Sequence, residues 1–377
     1  MNTQTVVGVV VVLVAVVGGY LLFSRPALPE GPVKIGVIAP LTGDAASYGE
    51  SLRDVMLLAA EEINAAGGIE GRQVQLVIED GKCNGKDAAS AAQKLVSVDS
   101  VEVVIGGFCS SESLAAEPVT TASKVALFSA ASSNPGLTNV SPYFARNYPS
   151  DSSQGTFLAD IASDRGYKKV AVIQEQTDYA AGVFGAFSTE LTAKGGVVVK
   201  EEFPSKHTDF RSLIAKLKAE KPDALFIIAQ TQAAEKLLFA QLQQQAWNTP
   251  LLINDVIAGD KEMLAEYAPF LEGALTAEFT VDPTNTKYQK FLAAFVAKYS
   301  KEPTLLAYAQ TEYDAVYLVA DAIREVGYDG TKIAAWLRTV KDWDGAVGKV
   351  TIGANGDPVA GHRPEVIRGG VAAPYSR

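Results

Sequence analysis

The stretch VVIGGFCSSES, residues 103–113, joins the pattern of a buried strand to the beginning of a helix. Its first three residues are apolar and β-branched, two glycines follow, and serines crowd the position where a helix can start. A strand that ends in a short loop and continues into a helix is the repeating unit of α/β folds. The stretch therefore predicts an α/β fold, and its cysteine and serines at a strand end form a candidate site.

The same alternation continues on both sides of this stretch. A first series of apolar strands and amphipathic helices covers residues 34–128, and a second series covers residues 153–253. Strands joined by crossover helices form parallel sheets that are covered on both faces. Helices predicted at residues 287–299 and 309–326 and a short strand near residues 347–352 complete the chain. The pattern predicts two helix-covered parallel sheets in succession.

Size and composition agree with a globular protein of two domains. The chain has 377 residues, 48% of them hydrophobic, which is enough for two substantial cores. The 33 Lys and Arg residues against 43 Asp and Glu residues give a formal net charge of −10. Because no basic cluster is present either, the composition excludes sequence-independent binding to nucleic-acid phosphates.

The first thirty residues differ from the rest. Residues 6–23 are an uncharged apolar run of 18 residues, which as a helix of about 27 Å can just cross a bilayer. The start carries no basic residue and no A-x-A cleavage pattern follows, so an uncleaved anchor is favoured over a cleaved signal. Arg25 favours an inward-facing domain. The isolated pair Cys83 and Cys109 favours an exported domain with one disulfide, with two buried free thiols as the alternative.

The loops that follow the strands are the candidate binding loops, because ligands of open parallel sheets bind beyond the carboxyl ends of the strands. Residues 40–49 carry Tyr48 but no phosphate-binding pattern, so this tyrosine is either a pocket wall or a surface residue packed on its own helix. Ser110 and Ser111 fall at a helix start, where hydroxyls and backbone N–H groups suit a carboxylate. Simple N-capping by Ser111 is the alternative.

A third loop, residues 128–136, is again rich in hydroxyls and ends in an Asn-Pro-Gly turn. In the second series, Asp255 follows an apolar strand, where a desolvated carboxylate requires a cation unless it is a helix cap or a solvated acid. Hydroxyls and helix N-termini on one side, a carboxylate on the other and tyrosines at the mouth fit a zwitterion. The loops therefore predict a site for an α-amino acid.

Catalysis is poorly supported by the sequence. The two histidines, His207 and His362, stand in unrelated contexts and are interpreted as surface residues. No hydrolase, zinc-protease or thiol-redox motif occurs, and no base is available to activate Ser110 as a nucleophile. Metal ligands are not clustered along the chain. We therefore predict a non-enzymatic protein without a cofactor or a metal.

Six motifs from residue 33 to about residue 370 resemble the leucine/isoleucine/valine-binding proteins, the periplasmic substrate-binding subunits of branched-chain amino-acid ABC transporters. They are Tyr48-Gly49, INAAGGI at 63–69, Cys83 together with GFCSS at 107–111, SAASSNP at 129–135, DSSQG at 151–155, and Tyr179. Taken together they are specific. The resemblance implies a type I periplasmic binding protein fold, which has two Rossmann-like lobes with parallel sheets joined by a three-crossing hinge, here preceded by one N-terminal apolar helix.

The resemblance also implies domain boundaries. Residues 1–30 would be the membrane anchor or signal segment with its linker. Lobe 1 would comprise residues 31–150 and 280–352, and lobe 2 residues 151–279 and 353–377. The hinge crossings are expected near residues 149–152, 278–281 and 352–356.

Site residues follow from the resemblance one by one. It implies that a disulfide joins Cys83 to Cys109 and staples the loop that presents Ser110. Hydroxyls of Ser110 and Ser133 would hold the ligand carboxylate, and the Ala131 carbonyl would help to receive the ammonium. The expected lining of the side-chain pocket is Tyr48, Phe108, Tyr179 and Tyr313.

Two positions depart from the family pattern. Asp255 stands where the family's glutamate binds the ammonium, and it is one methylene shorter. Gln230 stands where the family has an aromatic wall, which weakens the case for a purely aliphatic ligand and allows a polar side chain.

The expected function is an extracytoplasmic binding protein that delivers an amino acid, branched-chain or related, to an ABC transporter permease. The protein is expected to be a monomer, tethered to the membrane by residues 6–23 because a lipid-anchoring cysteine is absent. The alternative is a sensor domain of the same fold that binds a short amide, urea or another small polar ligand. A hydrolase or transferase is disfavoured by the missing base and metal motifs.

Overall fold

The structure is a computed structural model that describes residues 30–279 and 281–375. The apolar helix predicted at residues 6–23 lies outside these residues. Within the described part of the chain, no helix is long and apolar enough to cross a membrane.

The first sheet has five parallel strands in the order β2-β1-β3-β4-β5. Nearly every residue of its central strands is buried, which is typical of a parallel sheet with helices on both faces. Its strands are β1 Val33–Ala39, β2 Val74–Asp80, β3 Val103–Gly106, β4 Ala126–Ser129 and β5 Phe144–Arg146. The crossover helices are α1 Ala46–Ala65, α2 Gly85–Ser97 and α3 Ser110–Ala122.

The second sheet has seven strands in the order β14-β13-β10-β9-β8-β6-β7. Its five parallel strands are β6 Lys169–Glu175, β7 Val197–Phe203, β8 Ala224–Ile228, β9 Leu251–Ile253 and β10 Leu275–Glu278. The helices in this part of the chain are α4 Asp151–Asp164, α5 Asp178–Ala193, α6 Arg211–Ala219, α7 Gln232–Gln244, α8 Asp255–Gly259, α9 Lys261–Glu266 and α10 Ala268–Leu271. The two predicted parallel sheets are thus confirmed.

After the second sheet, the chain returns to the first. It forms α11 Thr286–Tyr299, α12 Leu306–Val326, α13 Gly330–Leu337 and a hairpin of β11 Trp343–Gly345 and β12 Gly348–Val350. Helix α12 packs along α1, and most of its side chains are buried between the layers. In this part of the sequence, strands no longer alternate with helices. The reason is that these helices pack on the first sheet, whose five strands all come from earlier in the chain.

The chain then crosses back and adds two antiparallel strands, β13 Arg363–Arg368 and β14 Val371–Pro374, to the second sheet. The sequence pattern did not predict either strand. β13 carries a proline and three charged residues, and the edge strand β14 has only four residues, so their apolar alternation is weak.

Three segments connect the two sheets. They lie between β5 and α4, between β10 and α11, and between β12 and β13. The carboxyl ends of β3 and β4 in the first sheet and of β6, β8 and β9 in the second lead into loops that line one shared cavity. This arrangement positions the candidate site between the sheets, as expected for strand-exit loops.

Candidate functional site

A disulfide and a buried carboxylate hold the loop that the opening stretch of sequence forms. Cys83 and Cys109 are bonded, with 5.2 Å between their Cα atoms, which confirms the pairing and excludes the two free thiols. Cys109, not Ser111, is the N-cap of α3. The Glu112 carboxylate accepts hydrogen bonds from the N–H groups of Cys83 at 3.0 Å and Cys109 at 2.9 Å. Ser111 instead donates a hydrogen bond to the Cys83 carbonyl at 3.0 Å. The first turn of α3 therefore holds both cysteines of the disulfide in place.

Buried hydroxyls join this loop to the one after β4. Ser132 donates to the Gly107 carbonyl at 2.8 Å, and its oxygen lies 2.7 Å from the Ser113 hydroxyl. Ser129 also donates to the Gly107 carbonyl, at 3.1 Å. These three serines are buried and satisfied within the network, so they hold the two loops together.

The two loops leave Ser110 and Ser133 at the edge of the interlobe cavity. Seven of the nine predicted ligand-binding residues line this cavity, together with two that were not predicted, Val256 and Tyr308. The seven are Tyr48, Phe108, Ser110, Ala131, Ser133, Tyr179 and Gln230. The volume open to the centre of a water molecule is about 10 Å³, roughly what a single water requires. Since an amino acid is much larger, its entry requires the two sides to separate.

Asp255, the eighth predicted residue, lies one layer behind the cavity wall. Its side chain is fully buried and accepts hydrogen bonds from the hydroxyls of Tyr148 and Tyr308, both at 2.7 Å. The Tyr179 hydroxyl donates to the other carboxylate oxygen, which also receives the Val256 N–H at 3.0 Å. Asp255 therefore contacts the cavity through the two tyrosines that line it, Tyr179 and Tyr308.

The electrostatics of this cluster keep the tyrosines neutral and Asp255 charged. Burial, followed by the charge of Asp255, raises the pKa of Tyr148, Tyr179 and Tyr308 well above the usual value. Burial works against ionisation of Asp255, but the imidazole of His362 and the tyrosine hydroxyls lower its pKa to about 2. For neighbouring Asp151, burial and the charge of Asp255 raise the pKa well above the usual range.

Tyr313, the ninth predicted residue, is not among the residues that line the cavity. Its hydroxyl donates to Glu62, and its ring packs on Phe291 with 4.6 Å between the ring centroids. Tyr308 takes the predicted place instead. The family resemblance implied Tyr313. The helix predicted from residue 309 begins at Leu306 in the structure, and its Tyr308 lines the cavity. Five residues turn an α-helix by about 140° beyond one full turn, so the two rings cannot share one face.

The opposite end of the cavity is formed by Tyr48 and Gln230. Tyr48 precedes Gly49, where an added Cβ would lie 2.0 Å from the Pro40 carbonyl oxygen, so only glycine permits this approach of helix to loop. The Tyr48 hydroxyl lies 3.4 Å from an Asp260 oxygen on the far side of the cleft. The backbone N–H of Gln230 donates to the buried carboxylate of Glu175 at 2.7 Å. This fixes the loop after β8 and aligns Gln230 with the cavity.

His362 is not the surface residue that the sequence suggested. Its side chain is buried, and its Nδ1 lies 2.7 Å from the Ser153 hydroxyl. His207 is half-buried and packs against Phe210. The burial of His362 depends on the third crossing segment folding back over α4, which no local pattern indicated.

The chain is similar in sequence to known periplasmic binding proteins. A family model described as periplasmic binding protein matches residues 32–364. An amino acid binding protein of Pseudomonas aeruginosa is 30% identical over 347 residues, which cover 88% of this chain and 91% of the relative.

Solved structures agree in fold over most of the chain. A leucine binding protein from Thermotoga maritima has a TM-score of 0.81 at 29% identity, covering 91% of this chain and 98% of that one. The substrate binding protein of a branched-chain amino acid transporter from Streptococcus pneumoniae, in complex with isoleucine, has a TM-score of 0.80 at 29% identity, covering 90% of this chain and 97% of that one.

Proposed function

The chain belongs to the periplasmic binding protein family, and we propose that it captures an α-amino acid between its two lobes and delivers it to an ABC transporter permease. The observation that carries the proposal is the cavity itself. Seven predicted residues from the strand-exit loops of both sheets converge there, with hydroxyls on one side and the network of Asp255 on the other. A family of binding proteins agrees with the expected absence of enzymatic activity.

The ligand carboxylate would bind on the hydroxyl side. Ser110 is the first residue of α3, and its oxygen accepts the Asn134 N–H at 3.2 Å, which leaves its own O–H free to donate. The N-terminal end of α3 adds the positive end of a helix dipole. Ser133 faces the same cavity from the neighbouring loop. These donors complement a carboxylate and offer little to an ammonium.

The ligand ammonium would bind on the acidic side, near the Ala131 carbonyl. Tyr308 donates its proton to Asp255, so the remaining lone pairs on its oxygen are oriented to accept from an N–H group. Tyr179 also donates to Asp255, but its oxygen already accepts a hydrogen bond from Asn254 Nδ2 at 2.7 Å. The buried charge of Asp255 polarises both hydroxyls and is compensated when a cation enters the cavity. Asp255 would thus act on the ammonium through the tyrosines.

The ligand side chain would lie among Tyr48, Phe108, Gln230 and Val256. Two aromatic rings and a valine favour an aliphatic side chain, and the relatives that are named for leucine and isoleucine binding support a branched-chain ligand. Gln230 adds one polar contact at the end of the pocket, which extends the expected range to small polar side chains.

Capture and release would depend on a hinge. We propose that lobe 1 comprises residues 31–150 and 280–352 and lobe 2 residues 151–279 and 353–377. A cavity of about 10 Å³ cannot admit a ligand unless the lobes rotate apart about the crossing segments. The permease would recognise the form closed around its ligand. Membership of the family places the protein outside the cytoplasm. Tethering by residues 6–23 and a monomeric state belong to the same proposal.

The experiment that tests the proposal is a thermal-shift panel with the twenty L-amino acids, urea and short amides, using the full chain. A ligand present at 100 times its Kd adds about 2.7 kcal/mol to the stability, which raises Tm by several degrees. We expect a shift confined to aliphatic or related L-amino acids. A shift with urea or amides alone would favour a sensor domain of the same fold, and no shift with any amino acid would reject the zwitterion site.

A further inference from the structure

Three potential metal ligands meet behind the cavity, although they are far apart in the sequence. Asp151 is the first residue of α4, Asp255 is the first residue of α8, and His362 precedes β13. One donor atom from each side chain lies within 4.8 Å of the other two, and Asp255 Oδ2 is 3.7 Å from His362 Nε2. The three residues are 0%, 0% and 2% exposed, respectively. The sequence offered no clustered ligands because the tertiary fold alone brings these three together.

Two of the three side chains lack partners for their donor atoms. In the described part of the chain, neither carboxylate oxygen of Asp151 accepts a hydrogen bond, and His362 Nε2 has none. A buried polar group without a partner costs about 1 to 3 kcal/mol, and more if it is charged. One ligand atom of each side chain lies within 4.8 Å of the other two, so a single bound cation would contact all three residues.

The surrounding contacts orient the donors as a metal site requires. His362 Nδ1 lies 2.7 Å from the Ser153 hydroxyl, and if that nitrogen carries the proton, Nε2 presents its lone pair to the cluster. Tyr148 and Tyr308 hold the Asp255 carboxylate through hydrogen bonds of 2.7 Å. Such outer contacts fix the direction of the ligating atoms.

A further buried carboxyl group lies near the cluster. Glu278 is buried on the neighbouring strand β10, and its Oε2 lacks a hydrogen-bond partner among the described residues. The nearby guanidinium of Arg146 is engaged elsewhere: it donates to Asp357 at 2.7 Å and to two backbone carbonyls. Its hydrogen bonds are therefore made to another acid and to the backbone, and its charge acts on Asp151 only from a distance.

We propose that Asp151, Asp255 and His362 form a binding site for a divalent transition metal ion of the Zn²⁺ class. Two carboxylate oxygens and one imidazole nitrogen are a ligand set that suits Zn²⁺ and its neighbours in the first row. With metal–ligand distances of about 2.0 to 2.2 Å, tetrahedral ligands lie about 3.4 Å apart, so small side-chain rotations close the present spacing. His362 also lines a surface cavity of about 620 Å³ at the crossing segments, which supplies a route of entry.

Bound metal would tie together the start of α4, the loop after β9 and the third crossing segment. Two of these are crossing segments on which lobe rotation depends, so the ion would stiffen the hinge. Because Asp255 also organises Tyr179 and Tyr308, metal and amino acid would affect each other's affinity reciprocally. The site does not require the cavity to bind an amino acid, so the two proposals stand independently.

The test is titration of the full chain, stripped with a chelator and free of any histidine tag, with Zn²⁺ by calorimetry and with Co²⁺ by visible absorption. We expect one ion per chain and visible Co²⁺ absorption bands with the intensity typical of a four-coordinate, tetrahedral site. Asp151→Asn and His362→Gln should each weaken Zn²⁺ binding by at least about tenfold. His207→Gln removes the other histidine and should leave the titration unchanged.

Two outcomes would overturn the proposal. One is the absence of stoichiometric Zn²⁺ binding to the wild-type chain. The other is binding that His362→Gln and Asp151→Asn leave intact. Folding of each variant is checked by circular dichroism and by its thermal unfolding. An amino-acid shift that the chelator-stripped wild-type chain gives without added Zn²⁺ separates failure of the metal site from failure of the proposed function.

Discussion

The hydroxyl side and the acidic side of the cavity are built in different ways. On the hydroxyl side, Ser113, Ser129 and Ser132 meet within two loops, and their partners are at most 25 residues apart in sequence. On the acidic side, Asp255 is bound by Tyr148, 107 residues away, and by Tyr308, 53 residues away. The first side is a local construction stapled by a disulfide. The second exists only when three distant segments have docked.

The two sides also differ in the protonation of their carboxylates. On the hydroxyl side, burial raises the pKa of Glu112 to about 7 and, further from the cavity, that of Glu312 to about 8. On the acidic side, hydrogen bonds and a nearby imidazole outweigh burial and lower the pKa of Asp255 to about 2. Glu112 and Glu312 therefore ionise only near or above neutral pH, whereas Asp255 is ionised from about pH 2 upward.

The largest expected effect is therefore a loss of stability between pH 5 and pH 9. The folded-state pKa of Glu312 lies above its unfolded value, so its contribution is fully present below about pH 4.5 and is lost as pH rises through about 8. The change is on the order of 5 kcal/mol for this one group. The pKa of Asp255 is lowered in the folded protein, so its contribution to stability changes with pH in the opposite direction. That change occurs below about pH 4 and therefore does not offset the loss caused by Glu312. Denaturant unfolding at each pH measures the effect.

Glu312→Gln should reduce this pH dependence, because the amide does not ionise; Glu112 and Asp314, whose pKa values burial raises to about 7, account for a remaining part. Glu61→Gln, at an exposed position on α1, is the matched control and should leave the slope unchanged. An unchanged slope in Glu312→Gln would show that the buried acid is not the cause.

The next largest effect on stability concerns the disulfide that holds the hydroxyl side. Replacing both cysteines, with Cys83→Ser and Cys109→Ser, should lower the free energy of unfolding by about 3 to 4 kcal/mol, because the bond closes a loop of 26 residues. Urea unfolding of the variant and the wild type measures the difference. The acidic side has no such covalent constraint among the described residues, so the loss should fall on the first lobe. Labelling of both thiols in native wild-type protein would contradict the bond.

Removing the charge of the acidic side should weaken ligand binding by about 100-fold, or roughly 2.7 kcal/mol. Asp255→Asn keeps the shape of the side chain but leaves the ligand ammonium without a compensating charge. Calorimetry with the amino acid selected by the thermal-shift panel measures the change. Asp209→Asn, at an exposed acid, is the control. An affinity within twofold of wild type would remove Asp255 from the binding network.

The smallest effect distinguishes two tyrosines on one helix. Tyr308→Phe deletes a hydroxyl that donates to Asp255 and faces the cavity, and it should lower ligand affinity by about five- to tenfold. Tyr313→Phe deletes a hydroxyl that is bonded to Glu62 outside the cavity, and it should leave the affinity unchanged. If Tyr313→Phe proved the more damaging of the two, the register assigned to α12 would be wrong.

Much of the hydroxyl side could be predicted from the sequence. Apolar runs followed by helical periodicity indicate parallel strands, and the loops at their carboxyl ends identify Ser110, Ser133 and Tyr48 as neighbours. The family resemblance added the partner of Cys83. Strand β13 was missed because a proline and charged residues interrupt its pattern, and β14 because it is only four residues long. The resemblance implied Tyr313 as a wall residue, whereas Tyr308 lines the cavity.

The sequence by itself determined the α/β class, the two parallel sheets and the loops that form the cleft, because strand and helix periodicities are local properties of the chain. Only the tertiary structure decided that Asp255 lies behind Tyr179 and Tyr308, and that Asp151 and His362 join it. These side chains come from segments up to about two hundred residues apart. Their meeting depends on how the crossing segments dock, and burial among long-range partners leaves no periodic signal in the sequence.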